Sequence, residues 1–136
     1  MKKIIFSAIG AVTLAAPAVA ADPTAGEADF KRCKACHAIT AEDGTNIVKG
    51  GKTGPDLFGV IGRPVGSVEG FRYGGGLEAA HEAGLIWDEE NLAVYITDPS
   101  AWLKEVLADP GAKSNMTYKH KKGAEDIAAY LASLGS

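Results

Sequence analysis

Apolar residues recur at the spacing of a helix face in three separate stretches of this chain. The last stretch carries an apolar stripe at Ile127, Tyr130, Leu131 and Leu134. Residues at those intervals lie on one side of an α-helix and pack against a core. Gly135 follows at the position that often closes a helix. The pattern therefore predicts a helix from about Ala124 to Leu134.

Two more helices are predicted on either side of Pro99, which cannot continue the first of them. Asp88 is a good N-cap, and the first turn after it is acidic at Glu89 and Glu90. The apolar face of this helix is formed by Leu92, Tyr95 and Ile96. Ser100 is then expected to cap a shorter helix whose apolar residues are Leu103, Val106 and Leu107.

The first helix of the folded part is expected to begin near Pro23, which suits a first helical turn. Thr24 and Glu27 have the spacing of a capping box. A single stripe then continues at helical intervals through Gly26, Phe30, Cys33 and His37. This stripe predicts that Cys33 and His37 lie on the same side of the chain.

From Ala38 to about Gly76 the sequence has neither a helical nor a strand period. The segment is rich in glycine and contains two prolines, so it is predicted to be a long loop. Long loops are expected where a ligand organises the chain. No stretch is a convincing strand, so the predicted fold class is all-α, with helices and long loops around a ligand.

The N-terminus has the pattern of an export signal. Lys2 and Lys3 precede an apolar run from Ile4 to Leu14, and Ala18-Val19-Ala20 is a small-residue cleavage pattern. We expect residues 1–20 to be a cleaved signal peptide and residues 21–136 to form a single domain. Cleavage after Ala21 is the neighbouring alternative, and a retained membrane anchor is the rival interpretation. The mature protein is expected to be soluble and periplasmic.

The sequence Cys33-Lys34-Ala35-Cys36-His37 is the C-x-x-C-H pattern of covalent haem attachment. Two thiols form thioethers with the haem vinyl groups, and the adjacent imidazole ligates the iron. The alternatives are a redox dithiol, a zinc site and a disulfide. A dithiol belongs beside a strand, zinc needs further ligands, and a disulfide over three residues closes almost no loop. The motif predicts one haem c attached through Cys33 and Cys36, with His37 as metal ligand.

Met116 is the candidate for the second axial ligand. It is the only methionine after the signal peptide, and it lies in a polar segment without helical apolar spacing, which is unusual for a core residue. The competing ligands are His81 and His120, of which His120 is expected to be solvated because lysines surround it. A His/Met iron has both axial positions filled, which favours electron transfer.

The segment from Lys52 to Gly59 reads K-T-G-P-D-L-F-G and, with the haem motif and Met116, resembles the class I cytochrome c family. The most similar branch is bacterial cytochrome c2 of the longer type, because extra residues precede Lys52 and Met116. The resemblance implies that the Pro55 carbonyl accepts the N–H of His37. It also implies haem propionate contacts for Arg63, Tyr73 and Trp87, and a Tyr95 that faces the methionine sulfur. Asp56 stands where the family commonly has asparagine.

The same resemblance implies an order of packing and a function. Gly26 and Phe30 would cross the last helix near Ile127 and Tyr130. The protein would be an electron carrier rather than an enzyme, and a monomer without a nucleic-acid partner. It would dock transiently on a membrane cytochrome bc complex and on a photosynthetic reaction centre or cytochrome oxidase. The alternative is a haem enzyme or gas-binding protein with an open sixth iron position.

Charge is unevenly distributed along the chain, which has 14 basic and 17 acidic residues in all. Residues 78–109 contain eight acidic residues and a single basic one, Lys104. Residues 111–123 contain no acidic residue and four lysines: Lys113, Lys119, Lys121 and Lys122. We call these four residues the lysine cluster. The cluster is either an ordinary solvated surface or a positive docking face beside Met116.

Overall fold

The fold is all-α, as predicted. A computed structural model describes residues 10–13 and 20–135, so most of the expected signal peptide lies outside the described residues. The described residues contain five helices: α1 Pro23–Phe30, α2 Gly75–Glu82, α3 Glu89–Thr97, α4 Pro99–Val106 and α5 Ala124–Ser133. Within this part of the chain, no helix is long and apolar enough to cross a bilayer.

The crossing of α1 and α5 is the tightest helix contact of the fold. A β-carbon at Gly26 would overlap the backbone carbonyl oxygen of Asp126, so only glycine lets the two helices approach this closely. Beside it, the rings of Phe30 and Tyr130 lie with centroids 5.7 Å apart. Ile127 is completely buried. The crossing that the family resemblance implied is confirmed.

Two of the predicted helix caps are wrong by two residues each. Asp22, not Thr24, caps α1 and accepts a hydrogen bond from Thr24 N at 2.9 Å. Asp98, not Ser100, caps α4 by accepting from Ala101 N at 3.1 Å. Each aspartate precedes a proline at the first helical position, where a missing N–H costs nothing. The predicted cap at Asp88 is confirmed, with Asn91 completing a capping box.

The segment predicted to be one long loop contains two short strands and leads directly into a helix. Strands β1 Ile39–Thr40 and β2 Asn46–Val48 pair antiparallel, so the expectation of no strand is corrected on this small scale. Helix α2 was not predicted, because it opens with two glycines and has a weakly apolar sequence. Residues 49–74, between β2 and α2, are irregular.

An aromatic cluster joins α3 and α4 to the segment before them. The indole of Trp87 stacks on that of Trp102 with centroids 5.0 Å apart. Tyr95 lies against both, with its ring centroid 5.1 Å from Trp87 and 5.5 Å from Trp102. All three side chains are buried. The cluster gives this side of the molecule a rigid wall.

Candidate haem-binding site

The C-x-x-C-H segment forms a helical turn directly after α1. The N–H of Cys33 donates to Phe30 O at 2.7 Å, and the N–H of His37 donates to Cys33 O at 3.0 Å. A further bond of 3.1 Å joins Cys36 N to Cys33 O. Regular helix ends at Phe30, but these turns keep a helical rise. The two thiols and the imidazole therefore stay within one short turn, as the spacing predicts.

The imidazole of His37 is oriented by the loop that faces it. Its Nδ1 lies 2.8 Å from the carbonyl oxygen of Pro55, which is the contact that the family resemblance implied. Because a carbonyl can only accept, Nδ1 carries the proton and Nε2 has a free lone pair. A β-carbon at Gly54 would overlap the imidazole ring, so this loop cannot approach with a larger residue.

Backbone hydrogen bonds attach the facing loop to the haem motif. The N–H of Gly51 donates to Lys34 O at 2.9 Å, and that of Gly54 donates to Cys36 O at 2.8 Å. The Asp56 carboxylate accepts from Thr40 N at 3.2 Å and from Phe58 N at 2.9 Å. An aspartate at this position therefore supplies the polar contacts of the turn.

Burial sets the protonation of the motif's side chains. It raises the pKa of the Cys33 thiol to about 11, with smaller contributions from the charges of Asp29 and Cys36. It also lowers the pKa of His37, although the hydrogen bond to Pro55 and the charge of Asp56 act in the opposite direction. Both groups are therefore held neutral at physiological pH, and neutral imidazole is the form that binds a metal.

Arg63 and Tyr73 lie close enough for the charge of Tyr73 to act on the guanidinium of Arg63. The guanidinium of Arg63 donates to Phe58 O at 3.3 Å and to Asp56 O at 3.2 Å. The Tyr73 hydroxyl accepts from Val68 N at 3.0 Å, which leaves its own proton to donate. Burial lowers the pKa of Arg63, and the charges of Tyr73 and Asp56 counteract this. Both side chains keep donors available for an anionic group.

Met116 is half-buried and packs against the edge of the hydrophobic core. Its N–H donates to Ser114 Oγ at 3.1 Å, and Tyr95 Oη lies 2.8 Å from the same oxygen. Tyr95 therefore reaches the methionine segment through Ser114. Sequence reasoning missed Ser114, because nothing in its neighbourhood marks a single serine as buried.

The two histidines that compete with Met116 are both engaged elsewhere. His81, on α2, has its Nδ1 2.7 Å from Val65 O. His120 is 4% exposed, so the prediction that it is solvated is wrong. Its Nδ1 contacts Tyr118 Oη at 3.0 Å, and its Nε2 lies 3.5 Å from a carboxylate oxygen of Asp29. The ring fills a gap between α1 and the lysine cluster, which the sequence pattern does not reveal.

These residues fit a covalently attached haem. Both cysteines are free thiols, Cys36 being exposed and Cys33 half-buried, as attachment requires. The imidazole is neutral and oriented through Nδ1, so that Nε2 remains as a donor for iron. A thioether at Met116 supplies a second ligand of the type found in low-spin haem proteins. Among the described residues, no group of three or more His, Cys, Asp or Glu side chains could hold a metal ion without the haem.

Comparison with known proteins places this site in a family. Cytochrome c2 of Rhodobacter capsulatus is 52% identical over 126 residues, which are 93% of this chain and 92% of that protein. Cytochrome c-550 of Paracoccus denitrificans is 52% identical over 136 residues, covering 97% of this chain and 88% of the relative. The chain matches no model of a protein family.

The solved structures agree with the sequence relatives. The structure of Rhodobacter capsulatus cytochrome c2 has a TM-score of 0.81 and 52% identity, covering 82% of this chain and 97% of the other. Ferric cytochrome c-550 from Paracoccus versutus gives a TM-score of 0.81 at 49% identity, with 85% and 99% coverage. An enzyme or gas sensor with an open iron position is not favoured by these relatives. The chain thus belongs to the cytochrome c2 family of electron-transfer proteins and carries one haem c, attached covalently through Cys33 and Cys36.

Proposed function

We propose that His37 and Met116 are the two axial iron ligands and that the protein shuttles single electrons in the periplasm. The observation that carries this proposal is the 2.8 Å contact between His37 Nδ1 and Pro55 O. That contact fixes the tautomer and orientation of the imidazole and strengthens it as a ligand. The half-buried position of Met116 at the edge of the core supports its role as the second ligand.

When bound, the haem supplies an iron that alternates between the ferrous and ferric states and so carries one electron. The chain's part is to fill both axial positions, so that small molecules do not reach the metal. The buried wall of Trp87, Tyr95 and Trp102 keeps water from this side. An iron with both axial positions filled by protein side chains would favour electron transfer over the binding of small molecules.

Arg63 and Tyr73 are proposed to hold the haem propionates, together with Trp87. Their support is the half-buried Arg63, whose guanidinium has more donors than its two backbone contacts use. The remaining proton of Tyr73 adds a further donor. Cationic and hydroxyl donors near a carboxylate form short, charge-assisted hydrogen bonds.

The compartment and partners are proposed from the leader and the relatives. Removal of residues 1–20 would release residues 21–136 as a soluble, periplasmic, monomeric domain. The donor is proposed to be a membrane cytochrome bc complex. The acceptor is proposed to be a photosynthetic reaction centre or a terminal oxidase. Relatives named cytochrome c2 and cytochrome c-550 support an electron carrier that interacts with redox partners.

The lysine cluster is the proposed docking face. All four of its side chains are exposed, and they flank Met116 in the chain. One member is partly neutralised within the protein, because Lys119 Nζ lies 3.1 Å from a carboxylate oxygen of Asp98. Lys121 has no such close partner among the described residues. We therefore expect Lys121 to contribute more to partner attraction than Lys119.

The ligand assignment is tested with Met116→Ala in the haem-loaded protein. The haem should remain covalently attached, the sixth position should open, and the reduction potential should fall, because thioether ligation favours the ferrous state. Absorption spectra of the ferric protein and a redox titration measure both effects. A low-spin spectrum with an unchanged potential would contradict ligation by Met116.

Docking is tested by the salt dependence of electron transfer to isolated acceptor membranes. The second-order rate should fall about tenfold between low and high ionic strength, because salt screens the attraction. Lys121→Glu should slow the reaction at low salt, Lys119→Glu should slow it less, and Lys104→Glu is the matched control in the acidic segment. Equal effects at the three positions would show that the cluster is only a solvated surface.

A further inference from the structure

Two serine hydroxyls tie the segment that carries Met116 to the helical frame. The Oγ of Ser114 accepts from the N–H of Met116, and the N–H of Ser114 donates to Ser100 Oγ at 3.0 Å. Ser100 lies in the first turn of α4, so the segment is attached directly to that helix. Ser114 is 9% exposed, so water competes weakly for these bonds.

The frame on the other side of Ser114 is rigid. Its Oγ contacts the hydroxyl of Tyr95 at 2.8 Å, and the Tyr95 ring lies against the indoles of Trp87 and Trp102. Aromatic rings packed in this way have little freedom to move. The position of Ser114 is therefore set from two directions, by α3 through Tyr95 and by α4 through Ser100.

The segment is also confined from the opposite side. A β-carbon at Gly74 would lie 2.6 Å from Cγ of Asn115, and one at Gly76 would overlap the carbonyl oxygen of Lys113. The backbone at the start of α2 thus presses directly on the residues before Met116. The contact with α2 on one side and the two serine hydrogen bonds on the other restrict the backbone conformation of residues 113–116.

We propose that Ser100 and Ser114 are positioning residues that hold the Met116 thioether at the iron. They act through the backbone of residues 114–116, not as iron ligands. The proposal rests on the proposed ligation by Met116. When either hydroxyl is removed, the segment can adopt other backbone conformations. The sixth coordination position of the iron is then open for a larger fraction of the time.

The opening is measured as the affinity of the ferric haem-loaded protein for imidazole, which binds only when Met116 has left. The apparent affinity scales with the open fraction. Losing one buried hydrogen bond shifts such an equilibrium about two- to tenfold. Ser114→Ala should therefore raise imidazole affinity about tenfold, since Met116 and Tyr95 both lose a partner. Ser100→Ala should raise it about threefold, because only the N–H of Ser114 is affected.

Two further variants distinguish positioning from general stability. Ser114→Thr keeps the hydroxyl and should restore imidazole affinity to within twofold of wild type. Ser133→Ala is the matched control, because Ser133 Oγ donates to Tyr130 O within α5, away from this segment. A lower melting temperature in Ser114→Ala with unchanged imidazole affinity would overturn the proposal. Where Ser114→Ala does not fold, unchanged affinity in Ser100→Ala overturns it instead.

Failure of the ligation itself gives a different result. If Met116 is not the ligand, the wild-type protein binds imidazole as tightly as Met116→Ala, and the two proteins have the same ferric spectrum. If only the positioning role is wrong, wild type and both serine variants resist imidazole equally, whereas Met116→Ala does not. The two outcomes are read from the same titrations.

Discussion

The α1–α5 crossing and the haem-facing loops hold their shape by different means. At the crossing, buried side chains of the protein contact one another directly, with Gly26 against Asp126 and Phe30 against Tyr130. The loop from Ala38 to Gly74 is organised by backbone hydrogen bonds to the haem motif. Ile39, Val60 and Val65 of this loop are fully buried, but Pro55, Leu57 and Phe58, which directly follow the glycines that contact the haem motif, are only half-buried. The crossing can form from the polypeptide alone, whereas the loops need the haem as part of their core.

The largest expected effect comes from omitting the haem. The haem-free mature chain should lose near-ultraviolet dichroism and cooperative thermal unfolding while keeping part of its helical signal, as molten states do. The reason is that the apolar residues closest to the haem motif, Pro55, Leu57 and Phe58, are only half-buried without the haem, so haem binding supplies folding free energy. A cooperative transition with native-like near-ultraviolet dichroism in the haem-free chain would contradict the contrast between the two regions.

The crossing is broken most directly at Gly26. In the haem-loaded protein, Gly26→Ala should lower the free energy of unfolding by about 3 kcal/mol, because the new methyl group overlaps a backbone oxygen that cannot move freely. Gly75→Ala is the matched control, since nothing lies near a β-carbon there, and it should be neutral or slightly stabilising. Denaturant titrations measure both. Equal effects would mean that α1 and α5 can separate without cost.

His120 supports the helical side of this comparison. Its Nε2 lies 3.5 Å from a carboxylate oxygen of Asp29 on α1, and its N–H donates to Ile96 O on α3 at 2.9 Å. His120→Ala should cost about 2 kcal/mol, since it leaves a gap and removes the partner of Tyr118. The control is His81→Ala, which removes an exposed ring and should cost clearly less. Thermal unfolding followed by absorption of the haem-loaded protein measures the difference. A larger effect at His81 would refute the structural role of His120.

A smaller effect is expected at the cap of α3, which belongs to the helical frame. Asp88→Ala removes the hydrogen bond to Asn91 N and should cost about 1 kcal/mol. The neighbouring Glu89→Ala keeps the capping box and should change stability by less than about 0.5 kcal/mol. Both values come from denaturant unfolding of the haem-loaded protein. Indistinguishable losses would show that the capping box contributes no stability of its own.

The smallest expected effect concerns the pair of Asp98 with Lys119. The N–H of Ala101 and then Lys119 hold the pKa of Asp98 below its usual value. A carboxylate whose pKa is lowered by folding adds stability above its unfolded pKa of about 3.9 and loses it as pH falls through the folded value. Asp98→Asn keeps a good cap, so wild type should be slightly more stable at neutral pH and equal to the variant in strong acid. Melting curves across that range test this. A difference in stability between wild type and Asp98→Asn that persists at low pH would be due to the helix cap and not to the ion pair.

Helices with a periodic apolar face were predicted from the sequence, and the rest of the fold was not. The stripe through Ile127 and Leu131 is visible because burial on one face forces a period of 3.6. Helix α2 shows no such stripe and opens with Gly75, which favours loops. The caps at Asp22 and Asp98 were misplaced because serine or threonine nearby gave the same signal.

The candidate site divides in the same manner. Cys33, Cys36 and His37 were found because covalent attachment demands a fixed local spacing. Pro55 came from the family resemblance and lies where the resemblance implied. Ser114 and the buried His120 were missed, because their burial depends on helices distant in sequence. Local sequence motifs therefore identify the residues that bind the haem. They do not identify the residues that position those ligands.

The glycines beside the haem motif also constrain how this protein can diverge. A side chain at position 50, 51 or 54 would overlap the backbone or imidazole of residues 35–37, whereas the neighbouring Lys49, Lys52 and Thr53 are exposed. Steric contact thus excludes side chains at the three glycines, while the exposed positions beside them meet no such limit. Descendants of this sequence can change the charge they present beside the haem motif, and so change partners, without disturbing the iron's surroundings. Evolution of specificity and preservation of redox chemistry are separated here within a span of a few residues.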